Sequence, residues 1–152
     1  MVHGASLRTE IVASFSWTGD KPEGQFGVSI LNGTAKLVVD CSKFNTEGCY
    51  VMAGRIGPHR STTGESPTCT IAGNQGHACA SGPLFPLKTK SVHLHAIIDG
   101  RIIETIWNNR TAMVTFNVPD SETGTSIKLI GITANITADI TTYDLDVAGP
   151  QL

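Results

Sequence analysis

Residues 91–119, SVHLHAIIDGRIIETIWNNRTAMVTFNVP, decide the fold. In an extended chain successive side chains point to opposite faces, so Val92, Leu94, Ala96 and Ile98 share one side and His93, His95 and Ile97 the other. Asp99-Gly100 breaks the alternation, and Asp-Gly between apolar alternations signals a hairpin. Residues 101–107 resume it, with Ile102, Glu104 and Ile106 facing one way and Ile103, Thr105 and Trp107 the other. Asn108-Asn109-Arg110 reads as a second turn, because Asn tolerates positive φ. Ala112, Val114, Phe116 and Val118 then align until Pro119, which has no N–H to donate to a ladder. The stretch predicts three consecutive antiparallel strands, a β-meander buried over most of its surface.

The same alternation extends outward along the chain. Residues 6–16 (SLRTEIVASFS) place Leu7, Thr9, Ile11 and Ala13 on one side, and turn residues make 17–24 a loop. A second strand is expected over 25–31, a tight turn at Asn32-Gly33 and a third strand over 35–40. Beyond the polar loop DSETGTS, residues 127–132 and 136–147 read as closing strands. No stretch carries the helical period with caps. Together these predict an all-β single domain over 1–152. Its expected form is a two-sheet antiparallel β-sandwich of concanavalin-like or jelly-roll-like kind, with about ten strands.

Residues 41–90 are the least regular part. Cys41 and Cys49 flank a turn centred on Asn45, and Cys69 and Cys79 flank Gly73-Asn74-Gln75-Gly76. Cross-strand cysteines meet the roughly 5.5–6 Å Cα separation that a disulfide favours. Of the three connectivities that four cysteines allow, Cys41–Cys49 with Cys69–Cys79 is therefore expected. Each would close a short loop worth about 2–3 kcal/mol on the loop-entropy account. Gly82-Pro83-Leu84-Phe85-Pro86 is expected to lead stiffly into the meander.

Composition narrows the function classes. Only 16% of residues are charged and the net charge is −2, with no basic run, which argues against nucleic acid as a partner. No apolar run approaches the roughly 18 residues of a membrane helix. No charged-apolar-small segment follows Met1, so a secretory signal is expected to have been removed ahead of it. Four cysteines and three sequons, at Asn32, Asn109 and Asn135, point to a secreted or extracellular glycoprotein.

Residues 94–110, LHAIIDGRIIETIWNNR, followed by Phe116-Asn117-Val118-Pro119, resemble the hallmark of the C-terminal β-sandwich of glycoside hydrolase family 32, the invertases, inulinases, levanases and fructosyltransferases. The family pattern is an apolar strand, Asp-x-Ser-x-x-Glu, an aromatic strand, an Asn/Gly-rich turn with Arg, and a strand ending in Tyr-Pro. Asp99, Glu104 and Arg110 fall on matching positions, whereas Arg101 replaces the usual Ser and Val118 the usual Tyr. Phe15, the run 26–31 and Asp40 match the domain's opening in order, and Arg60-Ser61 matches more weakly. The resemblance implies a sandwich that packs on a catalytic propeller and supports its stability. The propeller's Asn-Asp-Pro-Asn, Arg-Asp-Pro and Glu-Cys motifs do not occur here, so no catalytic residue is expected in this chain.

Other candidate chemistry competes with plain structural roles. His93 and His95 lie roughly 6.5–7 Å apart on one strand face, a legitimate metal-ligand spacing. Spacing places no third ligand among His59, His77 or the carboxylates, so two polar imidazoles on a sheet face are expected, with no metal and no cofactor. Asp99 and Glu104 could pass for a glycosidase carboxylate pair, but the resemblance assigns both to the non-catalytic sandwich. Glu104, flanked by Ile102 and Ile106, is expected to be buried with a cationic partner, Arg110 or Arg101. Trp17, Trp107, Tyr143 and Tyr50 are candidates for a sugar platform, or else core.

The function expected is thus a non-catalytic secreted module that binds carbohydrate or supports a propeller-type catalytic domain. The alternatives are a self-associating extracellular glycoprotein, forming a homo-oligomer, and a fragment of a hydrolase acting on sucrose or fructan.

Overall fold

The computed structural model describes residues 8–33, 35–41, 48–54, 79–85, 87–116 and 126–145. Among them ten strands occur in chain order: β1 (Arg8–Trp17), β2 (Gln25–Ile30), β3 (Ala35–Asp40), β4 (Cys49–Gly54), β5 (Cys79–Leu84), β6 (Ser91–Asp99), β7 (Ile102–Trp107), β8 (Thr111–Phe116), β9 (Lys128–Ile130) and β10 (Ile136–Asp144). They form two antiparallel five-stranded sheets, ordered β10-β1-β6-β7-β8 and β5-β4-β3-β2-β9. The inward side chains of both sheets merge into one apolar cluster, so the architecture is a β-sandwich. Phe15 and Trp17 from one sheet meet Phe26 of the other edge-on, with ring centroids 5.5 and 6.0 Å apart.

The meander is three consecutive antiparallel strands as expected, with Leu94 opposite Trp107 and Ile102 opposite Phe116. Its first hairpin closes through Gly100-Arg101, since Asp99 still pairs with Ile102. Gly100 takes φ 59° at the first central position, where glycine opens a primed turn. The second turn runs through Asn108 and Asn109, at φ 50° and 52°, and Arg110 N–H closes it on the Trp107 carbonyl at 2.9 Å. Asn108 also extends the β6 ladder. Its N–H donates to the His93 carbonyl at 2.9 Å, and its side-chain oxygen accepts the His93 N–H at 2.7 Å. Residues 117–119, including Val118 and Pro119, lie outside the described residues.

Burial of the meander differs from the expectation. Only its inner face is covered: Val92, Leu94, Ala96, Ile98, Ile103 and Trp107 are buried, while Ile102, Ile106 and Val114 on the outer face are exposed. Glu104 sits among these outer residues, opposite Val114 and Ile97, and is exposed. The paired, buried Glu104 is therefore corrected. A carboxylate on a solvated face keeps its hydration and needs no cation.

The central strands of the second sheet bury residues on both faces. Val38 and Met52 point away from the inter-sheet core yet are fully buried, which is why β3 and β4 read as continuous apolar runs instead of alternating. β5 takes residues 82–84 of the stiff connector expected at 82–86 into a strand, and Pro86 lies outside the described residues. β5 carries Pro83 as an edge strand, the position where a missing N–H costs no ladder bond. Cys41 and Cys49 form the expected disulfide across the β3–β4 hairpin. Cys79 is disulfide-bonded, but its expected partner Cys69 lies outside the described residues.

β7 carries two polar atoms into the core without hydrogen-bond partners among the described residues, Thr105 Oγ1 and Trp107 Nε1. Burying an unmade hydroxyl bond costs about 1–3 kcal/mol. Thr105→Val keeps the branched shape and removes that cost, so urea denaturation is expected to show a gain of about 1 kcal/mol. A loss of stability would mean that the hydroxyl is satisfied.

Candidate functional site

Two clefts lie at the end of the sandwich where β1 stops. Trp17 N–H donates to the Lys90 carbonyl at 3.1 Å, and Thr18 N–H to the Asn135 carbonyl at 3.1 Å. These bonds pin the end of β1 between the starts of β6 and β10. The following loop turns at Gly19 and Gly24, at φ 78° and 77°, a conformation that glycine adopts without strain. Two lysines staple it. Lys90 Nζ donates to the Gly19 carbonyl, and Lys21 Nζ donates to the Gly48 carbonyl at 3.2 Å.

Two clefts open beside this loop, and Trp17 lines both. The larger, about 560 Å³, lies between Trp17, the Cys49 end of the disulfide hairpin and Leu87, with Lys21, Lys88 and Lys90 around it. The second, about 450 Å³, runs from Trp17 to Glu23, Thr133 and Asn135. Volumes of this size suit a small ligand with an apolar floor and a few polar groups. Only 8% of Trp17 is exposed, so it supplies a floor and an edge instead of an open stacking plate.

The other platform candidates do not join it. Trp107 is completely buried in the core, which removes it as a sugar contact. Tyr143 is half exposed but stands opposite Glu10, whereas Trp17 pairs with Ile136 at the far end of the same two strands. Tyr50 is half-buried and packs edge-on against Phe85, centroids 5.7 Å apart.

His93 and His95 lie on the outer sheet face, in a shallow groove of about 460 Å³ with Val12, Ile106 and Asp139. His95 Nε2 is 2.7 Å from Glu10 Oε1. No group of three metal-ligating side chains occurs among the described residues. Asp99 Oδ1 accepts from Arg8 Nε at 3.0 Å, and neither Asp99 nor Glu104 lines these clefts. Arg110 reaches across to the second sheet, where its Nη1 donates to the Phe85 carbonyl at 2.8 Å, and Thr111 Oγ1 donates to the Pro83 carbonyl at 2.8 Å. These bonds fasten β8 to β5.

Asn32, Asn109 and Asn135 are all exposed, and Asn32 Oδ1 accepts the Ser126 N–H at 3.0 Å. The lysine cluster is absent from the sequence-derived candidates. Position 21 is far in the chain from 88 and 90, and the bond from Trp17 to Lys90 brings them together; Lys-Thr-Lys over 88–90 is the local trace.

No helix among the described residues is long and apolar enough to cross a membrane. No protein-family model and no curated protein sequence matches the chain. Among solved structures it is similar to sucrose-6-phosphate hydrolase from Lactobacillus gasseri, with a TM-score of 0.52 and 15% sequence identity, the match covering 90% of this chain. The chain spans 24% of that hydrolase, so what the two share is the fold of a β-sandwich module.

Proposed function

We propose that this chain is a non-catalytic, secreted carbohydrate-binding module of the kind attached to sucrose- and fructan-acting hydrolases, with the Trp17 end as its binding site. The observation that carries the proposal is the extent of the fold match: nearly all of this chain corresponds to a quarter of a hydrolase of a sucrose derivative. The resemblance of residues 94–110 to the family 32 sandwich supports the same substrate class. The Cys41–Cys49 disulfide and three sequons whose asparagines are exposed support an extracellular setting. The test is calorimetry of the purified chain against sucrose, inulin and levan, with released fructose assayed in parallel. Saturable heat without fructose release is the expected result. Silence at millimolar ligand would remove carbohydrate binding, and turnover would remove the non-catalytic assignment.

The outer face of the meander favours a second reading, support of a propeller-type catalytic domain or a second copy. Val12, Ile102, Ile106 and Val114 expose apolar area on one sheet face, and contiguous exposed apolar patches mark protein contacts. Sedimentation over a concentration series separates self-association from a monomer that awaits a different partner.

A further inference from the structure

We infer that the larger cleft beside Trp17 selects anionic saccharides, sugars carrying a carboxylate, over neutral ones; this rests on the carbohydrate-binding proposal and specifies its ligand. The chain as a whole is slightly acidic, with a net charge of −2. This cleft has the opposite sign, since Lys21, Lys88 and Lys90 line it with Asp20 as the single acid. Neither the Arg8–Asp99 nor the His95–Glu10 ion pair involves Asp20.

The lysines differ in how they are held. Lys90 donates to the Gly19 carbonyl and Lys21 to the Gly48 carbonyl, which fixes both ammonium groups at the rim without spending conformational entropy on ligand arrival. An ammonium has three donors, so the bond from Lys90 to Gly19 leaves further N–H groups to meet a carboxylate. Lys88 is exposed and supplies a third charge. Beneath them Trp17 and Leu87 offer an apolar floor for the carbon face of a sugar ring. Charge at the rim and an apolar floor together match a charged sugar better than a bare anion, which gains nothing from the floor. They also match it better than a neutral sugar, which gains nothing from the lysines.

The experiment titrates the whole chain with three probes: an oligogalacturonate, a neutral galacto-oligosaccharide of equal length, and inorganic phosphate. Calorimetry gives affinity, and a change in tryptophan fluorescence on binding reports Trp17, which lines the cleft whereas Trp107 does not. The oligogalacturonate should bind about tenfold tighter than the neutral sugar at low ionic strength, and the preference should collapse near 1 M salt, where the screening length falls to about 3 Å. Lys88→Ala should weaken the charged probe several-fold and Lys88→Glu more, in each case by a larger factor than the neutral sugar; both changes are on an exposed side chain. Equal binding of charged and neutral sugars overturns the inference while leaving the carbohydrate-binding proposal standing. Phosphate binding as tightly as the oligogalacturonate overturns it in favour of a general anion site. No binding by any sugar overturns both.

Discussion

Trp107→Ala is expected to cost about 3–5 kcal/mol, enough to unfold most of a marginally stable domain at 37 °C. The indole is completely buried at the end of β7 and faces the inter-sheet core, paired with Leu94 on one side and Thr111 on the other. Removing it deletes the largest fully buried side chain in the described core and leaves a cavity that the rigid ladders on both sides cannot collapse into. Tyr143→Ala is the informative control. That ring is half exposed on edge strand β10, so its loss should stay within about 0.5 kcal/mol. Urea midpoints of the two variants decide the matter, and similar costs would mean that the core does not close over β7 as described.

Gly27→Ala should be comparably severe from a single added methyl. A Cβ at this position would lie 2.1 Å from the Leu37 carbonyl oxygen and 2.9 Å from the Val38 Cα. Both are backbone atoms of β3, the central strand of its sheet, and cannot rotate aside. Gly27 also holds φ 152°, inside the region that side chains rarely adopt. The alanine must therefore push β2 and β3 apart, breaking the ladder that runs from Gln25–Asp40 to Ile30–Ala35, at a cost of about 3 kcal/mol or more. The expected measurement is poor soluble yield with a low melting temperature. Gly19→Ala serves as contrast: nothing lies within 4 Å of its added carbon, so any penalty comes from its positive φ alone. A Gly27→Ala variant as stable as the parent would show that the β2–β3 spacing is wider than described.

The meander was legible because its alternation, Gly100 and paired asparagines all point to the same register. Local turn chemistry and side-chain period agree there, and agreement across levels is what makes a segment readable. Which side of that sheet meets water was not legible. Ile102, Ile106 and Val114 are as apolar as Ile103 and Met113, and only the position of the second sheet distinguishes them. β5 escaped because Gly82 and Pro83 are poor strand residues, tolerated by an edge that pairs on one side. β3 and β4 lost their alternation to burial on both faces. Trp107 illustrates the limit for sites: an aromatic residue has the same spelling in a core and on a binding plate. The lysine rim failed for the opposite reason. Its members are ordinary surface residues until β1 and the start of β6 bring positions 21, 88 and 90 to one end.

Asn108 has a consequence for how the sheet can change over generations. At the His93 rung one partner is a backbone group and the other a side-chain oxygen, so the length of the β6–β7 ladder is partly written in a single codon. An ordinary rung survives almost any substitution, because every residue except proline brings the same peptide group. This one persists only while its position encodes an acceptor of the right reach that also accepts a positive φ, a requirement that aspartate shares and most residues do not. The last rung of the strand is therefore heritable in a way the others are not, and it can be gained or lost without moving the chain.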